Sequence, residues 1–250
     1  MTQIKSPKQI KLMEEAGRIL ALALKKISAA VRPGVSTKEL NSLANDICRQ
    51  YKVKPAFLGY NAYPASICTS LNNEVVHGIP NDKPLKNGDI LGIDMGVVYL
   101  GYCADSAVTV GIGEISSEAK KLITVTKKSL DAAIAIIKDG VRVGDIGYEI
   151  SKIAAENHLG VIKELTGHGI GTNLQEDPSI PNYGNRGTGV KLVEGMTVAI
   201  EPMLTLGGAK INISTDGWTV KTADGSLSAH FEHTILVKKN TCQVLTSVDK

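Results

Sequence analysis

Two pairs of segments in this chain repeat one another at nearly the same separation. NGDILGIDMG (87–96) is echoed by EGMTVAIEPM (194–203), with Gly88 matching Gly195 and Asp94 matching Glu201. RPGVSTKEL (32–40) is echoed by KDGVRVGDI (138–146). A single match of this kind is chance. Two in register point to a duplicated chain whose halves each run helix, helix, then sheet. Shared turn chemistry is the plainer alternative, because Pro-Gly and Asp-Gly are common turn pairs. Duplication puts pseudo-repeats at about 1–110 and 111–250 inside one domain over 1–250, a length that suits one large domain or two fused halves. It also requires equivalent acids of the two halves to meet near a pseudo-twofold axis.

Local signals agree with that plan. Ser6-Pro7 offers an N-cap with proline at the first helical position, and apolar residues from Ile10 to Ile27 predict a helix to about Val31. Arg32-Pro33-Gly34 ends it, and Ser36 with Glu39 has capping-box spacing for a second helix to about Tyr51. Strands are expected around 66–76 and 90–110, and helices at 117–138 and 144–157. Strands return at 196–206, 210–221 and 227–238, with turns at Gly207-Gly208 and Asp224-Gly225.

GIDMGVVYLGYCADS (92–106) reads as a hairpin with an acid in each arm. Pairing about a turn at Tyr99-Leu100 sets Asp94 opposite Asp105. Like charges that close destabilise a strand pair, and burial adds a desolvation cost. A shared proton, a basic partner or a cation would relieve it, and no Lys or Arg lies between Lys86 and Lys120. Glu201 in MTVAIEPM and Glu232 in LSAHFEHTILV interrupt two further apolar strands, and His168 sits in TGHGIG. Each residue alone has a bland explanation: an outward-facing acid, or a histidine in a glycine turn. Together they make four carboxylates and one imidazole. Two divalent ions would balance that charge, and an oxygen-rich set with one nitrogen suits Mn, Fe, Co or Zn.

Composition excludes several classes. Net charge is +3, with no Lys/Arg cluster to suggest nucleic acid. Cys48, Cys68, Cys103 and Cys242 form no C-x-x-C pair, so reduced thiols in a cytoplasmic protein are expected. The N-terminal MTQIKSPKQ lacks the apolar core of a signal peptide, and no run approaches the ~20 apolar residues of a membrane span. Aromatic residues are only 4% of the chain, yet Phe57, Tyr60 and Tyr63 fall together in FLGYNAY, and Trp218 is the only tryptophan. Such a cluster suits either a pocket for a flexible thioether side chain or a packing knot beneath a loop.

With these residues assembled, the chain resembles the type I methionine aminopeptidases of the dinuclear pita-bread peptidase superfamily. The resemblance runs over nearly the whole length, through SICTSLNNEVVHGIP, GDILGIDMG, TGHGIG, AIEPM and DGWTVKTADGSLSAHFEHT. It implies a pseudo-symmetric α/β fold, a curved, mainly antiparallel sheet flanked by helices. It implies Asp94, Asp105, His168, Glu201 and Glu232 as ligands of two divalent metal ions (Co, Mn, Fe or Zn), with Asp105 and Glu232 bridging. Tyr60, Tyr63, Cys68 and Trp218, with Phe57 beside them, would line a methionine pocket, and His77 would contact the scissile peptide. Glu201 would accept the proton of the attacking water. The implied substrates are nascent chains that begin with methionine followed by a small residue. A cytoplasmic monomer with transient ribosome contact and no membrane association goes with that reading.

The chain departs from the family's usual pattern at Phe57, where cysteine is usual, and at Asn61, where histidine is. Leu174-Gln175 replaces a phenylalanine-histidine pair. That histidine is thought to stabilise the scissile carbonyl as it becomes an oxyanion, whereas Gln175 donates only a neutral hydrogen bond. The alternatives are a related aminopeptidase of altered specificity, a proline-specific peptidase of the same superfamily, and a pita-bread protein that binds without cleaving. The proline-specific enzymes usually carry a large N-terminal domain, and here the first helix leads straight into the catalytic half. Nucleotide binding at GHGIG rests on an incomplete fingerprint.

Overall fold

A computed structural model describes residues 4–247. Four helices form at the four expected places: α1 (Pro7–Ala30), α2 (Thr37–Tyr51), α3 (Ser117–Ala135) and α4 (Val143–Glu156). Ser6 and Gln9 close a capping box on α1, and Ser36 and Glu39 close one on α2. Ser116 Oγ accepts from the Ala119 amide to cap α3, and Asp145 Oδ2 accepts from the Arg142 amide at the start of α4. Helix α3 stops at Ala135, three residues short of expectation, with Ile136 as its C-cap.

The main sheet has nine strands: β1 (Lys54–Pro55), β2 (Cys68–Leu71), β3 (Ile90–Tyr99), β4 (Tyr102–Gly111), β5 (Thr166–Gly169), β6 (Glu176–Pro181), β7 (Thr197–Ile200), β8 (Glu232–Val237) and β9 (Cys242–Val244). All pairings are antiparallel, in the order β1-β3-β4-β8-β7-β5-β6, with β2 also on β3 and β9 on β8. Read outward from the β4–β8 seam, one side runs to β3, which carries both β1 and β2, and the other runs to β7, then β5, then β6. Two three-stranded sheets complete the fold.

Each half has its own core. Leu91, Ile93, Met95 and Val97 of β3 pack on apolar residues of α1 and α2. Val198 and Ile200 of β7 and Ile235 and Val237 of β8 pack on α3 and α4. Alternate residues in a strand point to opposite faces, so committing Ile93 and Met95 to the helices sends Asp94 to the other face. The same alternation puts Glu232 and Thr234 opposite Ile235.

The hairpin register differs from expectation. Leu100 (φ 47°) and Gly101 (φ 87°) form the turn, so Tyr99 faces Tyr102, Asp94 faces Ala107 and Asp105 faces Gly96. A two-residue turn with both central residues left-handed matches the twist of its strands, and glycine supplies one of them without strain. The two aspartates are therefore diagonal neighbours on one face rather than a direct pair. The expected strands 196–206 and 210–221 are each broken in two. Pro202 interrupts the first immediately after Glu201, and a turn ending at Gly217 interrupts the second. Strands β1, β5, β6 and β9 and the short strand Gly160–Val161 were not expected. In β5 the glycines admit close strands: a Cβ at Gly167 would lie 2.4 Å from the Ala199 carbonyl oxygen, and one at Gly169 would lie 2.1 Å from that of Asp177.

Candidate metal centre

The acids arrive from both sides of the seam. Asp94 faces Ala107, and Ala107 in turn faces Glu232, so one row crosses β3, β4 and β8. Asp105 is held by its backbone: its amide donates to Thr234 Oγ1 at 2.9 Å, and that hydroxyl donates to its carbonyl at 2.8 Å. Ser106 Oγ donates to the Glu232 carbonyl at 2.7 Å, which ties β4 to β8 beside both acids. Glu201 directly follows β7, and Asn182 Nδ2 donates to its carbonyl at 3.0 Å. His168 comes from β5, its Nδ1 2.9 Å from the Gly169 carbonyl. That contact makes Nδ1 the protonated nitrogen and leaves Nε2 as a lone-pair donor facing the acids. His168 Nε2 lies 3.6 Å from Glu201 Oε1 and 4.0 Å from Asp105 Oδ2. One candidate ligand atom each from Asp105, His168 and Glu232 lie within 4.8 Å of one another.

Nothing among the described residues neutralises this charge. Among the described residues, the ion-pair partners of the four acids are His168 and His230 alone. Burial pushes both imidazoles down, His230 to about 3, so neither is a cation near neutral pH. Burial, then repulsion from neighbouring acids, raises Asp94, Glu201 and Glu232 well above the usual carboxylate range. Burial raises Asp105 to about 7, opposed by hydrogen bonds to its carboxylate from the Ser106 amide and the Asp94 carboxyl. Asp94 Oδ1 and Glu232 Oε1 are buried with no hydrogen-bond partner. Two carboxylates 4 Å apart repel by about 4 kcal/mol at an effective dielectric of 20. A set of this kind is a poor structural network and a good cation cage. The oxygen-rich donors with one imidazole fit divalent metal ions.

All twelve residues singled out from the sequence line one cavity, as do Asn61 and Leu174. Its apolar wall is Phe57, Tyr63, Cys68, Leu174 and Trp218. Tyr63 and Trp218 stack edge-to-face with centroids 5.1 Å apart, and the Tyr63 hydroxyl donates 2.9 Å to the Gly78 carbonyl. Cys68 pairs with Asp94 across β2 and β3, which puts the wall directly beside the acids. Phe57 needs Gly96, because a Cβ there would lie 2.9 Å from its ring. Phe57 and Leu174 pack in one apolar cluster. At the mouth, the Tyr60 hydroxyl is 3.5 Å from Gln175 Oε1. A glutamine oxygen held by a hydroxyl leaves its NH₂ free to donate into the cavity.

His77 lines the same cavity, its ring edge-to-face with Trp218 at 6.2 Å. Its φ of 60° is left-handed, a strained conformation for a non-glycine residue and one found often at functional sites. Burial lowers its pKa, so the imidazole is neutral near pH 7 and can both accept and donate.

Sequence reasoning missed His230, whose Nε2 lies 3.6 Å from Glu201 Oε2. The signal was its place two residues before Glu232. It also missed Asn182, which carried no signal.

A fold of this topology around a buried carboxylate-imidazole cage defines a metal-dependent peptidase class, and the comparisons place the chain within it. Residues 11–239 match the model of Metallopeptidase family M24, and the chain belongs to that family. It is 44% identical over 247 residues to a methionine aminopeptidase of Clostridium acetobutylicum, covering 98% of this chain and 99% of that one. The crystal structure of a methionine aminopeptidase from Thermotoga maritima superimposes with a TM-score of 0.97 at 44% identity, covering 99% of this chain and 100% of that one. An X-Pro aminopeptidase from the same organism shares the pita-bread fold alone, at 23% identity and TM-score 0.78, and this chain covers 63% of its length.

Proposed function

We propose that the chain is a metal-dependent methionyl aminopeptidase that removes the initiator methionine from nascent polypeptides, preferring a small second residue. The observation that carries this is the convergence of four carboxylates, Asp105 and Glu232 buried and Asp94 and Glu201 partly so, with no Lys or Arg among them, against an aromatic wall. The relatives at 44% identity over their full length support methionine as the first residue. Family membership implies divalent metal use. The finer reading is two ions, which Asp94, Asp105, His168, Glu201 and Glu232 would hold, Asp105 and Glu232 being the two that would serve both.

When bound, such ions supply an activated water and polarise the scissile carbonyl. The chain's own residues do the rest. Glu201 accepts the proton that the water loses. Gln175 Nε2 donates to the carbonyl oxygen as negative charge develops there. His77 donates to the peptide and steadies its departing nitrogen. Phe57, Tyr60, Tyr63, Cys68 and Trp218 enclose the methionine side chain, whose flexible thioether suits an aromatic wall. The whole chain acts as one catalytic domain, with halves of about 1–110 and 111–250. Among the described residues no helix is long and apolar enough to cross a membrane. The nature of the substrate makes the cytoplasm the place of action, as a monomer meeting nascent chains transiently at the ribosome.

A peptide panel tests the reading. Met-Ala-Ser should be cleaved with manganese or cobalt present, and peptides that begin with Leu or Pro, or that carry a bulky second residue, should not. Comparable rates across the panel would refute the assignment. Gln175 gives a second test. A protonated imidazole bonds an oxyanion more strongly than a neutral amide does, by about 1 kcal/mol. Gln175→His should then raise kcat on Met-Ala-Ser about 5-fold, with KM and metal content little changed. An unchanged or lower kcat with metal bound would mean that Phe57, Asn61, Leu174 and Gln175 form a differently specialised pocket.

A further inference from the structure

His230 belongs to none of the roles above, and its surroundings are unusual. It is 4% exposed, and its Nε2 is buried with no hydrogen-bond partner. The nearest acid is Glu201, whose Oε2 is 3.6 Å away, while Oε1 of the same carboxylate is 3.6 Å from His168 Nε2. One carboxylate thus stands between two imidazoles, one facing each oxygen. The backbone that presents His230 is clamped twice. Its amide donates to Thr109 Oγ1 at 3.0 Å, and that hydroxyl donates to its carbonyl at 2.8 Å. It also pairs with Met203, two residues beyond Glu201. A buried polar atom left unmatched is destabilising, so an imidazole nitrogen aimed from a doubly held backbone at a carboxylate calls for a role.

We propose that His230 is a positioning residue for Glu201: its Nε2–H donates to Oε2, fixing the rotation of the carboxylate so that Oε1 is the oxygen turned toward His168 and the ion. The inference rests on the metal centre proposed above. The gap is a few tenths of an ångström beyond hydrogen-bond length, and a small side-chain rotation closes it. An imidazole with Nε2 protonated is the form that can donate to that oxygen. Outer partners of this kind orient a ligand, and losing one costs 10–100-fold in metal affinity.

Two variants separate positioning from packing. His230→Leu keeps the bulk and removes the donor, whereas His230→Gln keeps an N–H. Zinc titration by calorimetry on chelated protein should show the weaker zinc equivalent bound about 10–100-fold less tightly in His230→Leu, and within about 3-fold of wild type in His230→Gln. ¹⁵N-histidine spectra of wild type with excess zinc, with the His230 signals assigned by their absence in His230→Gln, should show protonated Nε2 and bare Nδ1. Equal damage by both variants, wild-type affinity in His230→Leu, or the opposite tautomer would each overturn the proposal. Wild-type protein that takes up no zinc would instead overturn the metal centre, and the tautomer would then decide the His230–Glu201 contact by itself.

Discussion

Asp105→Ala is expected to lose the metal and to fall at least ~10³-fold in kcat/KM on a Met-Ala peptide. Losing an outer partner already costs 10–100-fold, and Asp105 is proposed to touch both ions. The substitution keeps both bonds to Thr234, which involve the amide and carbonyl of residue 105, and gives up the one that its Oδ1 accepts from the Ser106 amide. It also removes one of four crowded acids, so the metal-free variant should melt no lower than metal-free wild type. Metal analysis, calorimetric melting and steady-state kinetics on one preparation check all three. Full metal occupancy in Asp105→Ala would refute the bridging role. Lost activity with a collapsed melting temperature would mean that Asp105 holds the fold rather than the ions.

The same crowding predicts an inverted pH dependence of stability once metal is removed. The usual paired carboxylate has a depressed folded pKa and stabilises above it. Here the folded values are raised: Asp105 to about 7, with Asp94, Glu201 and Glu232 well above their ordinary range. Between about pH 4, where these groups ionise in the unfolded chain, and pH 7, the native state holds the extra protons. Stability therefore falls as pH rises through that window, by about 1.4 kcal/mol per group and pH unit. Asp105 alone contributes a loss of about 3 kcal/mol between pH 5 and pH 8, or roughly 6–12 °C in a chain of this size. Metal binding requires the ionised carboxylates and releases those protons, so loaded protein should gain stability as pH rises. Melting of chelated and metal-loaded protein at pH 5 and pH 8 measures the effect, and Asp105→Asn should shrink the slope of the chelated form. Chelated protein equally stable at both pH values would contradict the crowded-acid account.

The helices were legible because their ends are written in short-range chemistry: Ser6 with Gln9, and Ser36 with Glu39, satisfy amides three residues away. The acids were legible because each interrupts an apolar strand. The register between them was not, since it turns on which two residues accept left-handed torsions, and Leu100 is an unusual choice. Strand β5 was hidden for a different reason. Glycines favour turns locally, and only the neighbouring carbonyl oxygens, which a Cβ would meet at 2.4 Å or less, explain Gly167 and Gly169 in a sheet. Asn182 lies far from Glu201 in sequence and reaches it only through the sheet order. At Gln175 the chain departs from the resemblance, and its side chain lines the same cavity as His77.

The most direct test of the account is methionine release from Met-Ala-Ser by chelated protein as manganese or cobalt is returned in counted equivalents. The account predicts no release without metal, and activity that rises with added metal and saturates by two ions per chain. Full-rate release from metal-free protein, or two ions bound with no methionine released, would contradict it.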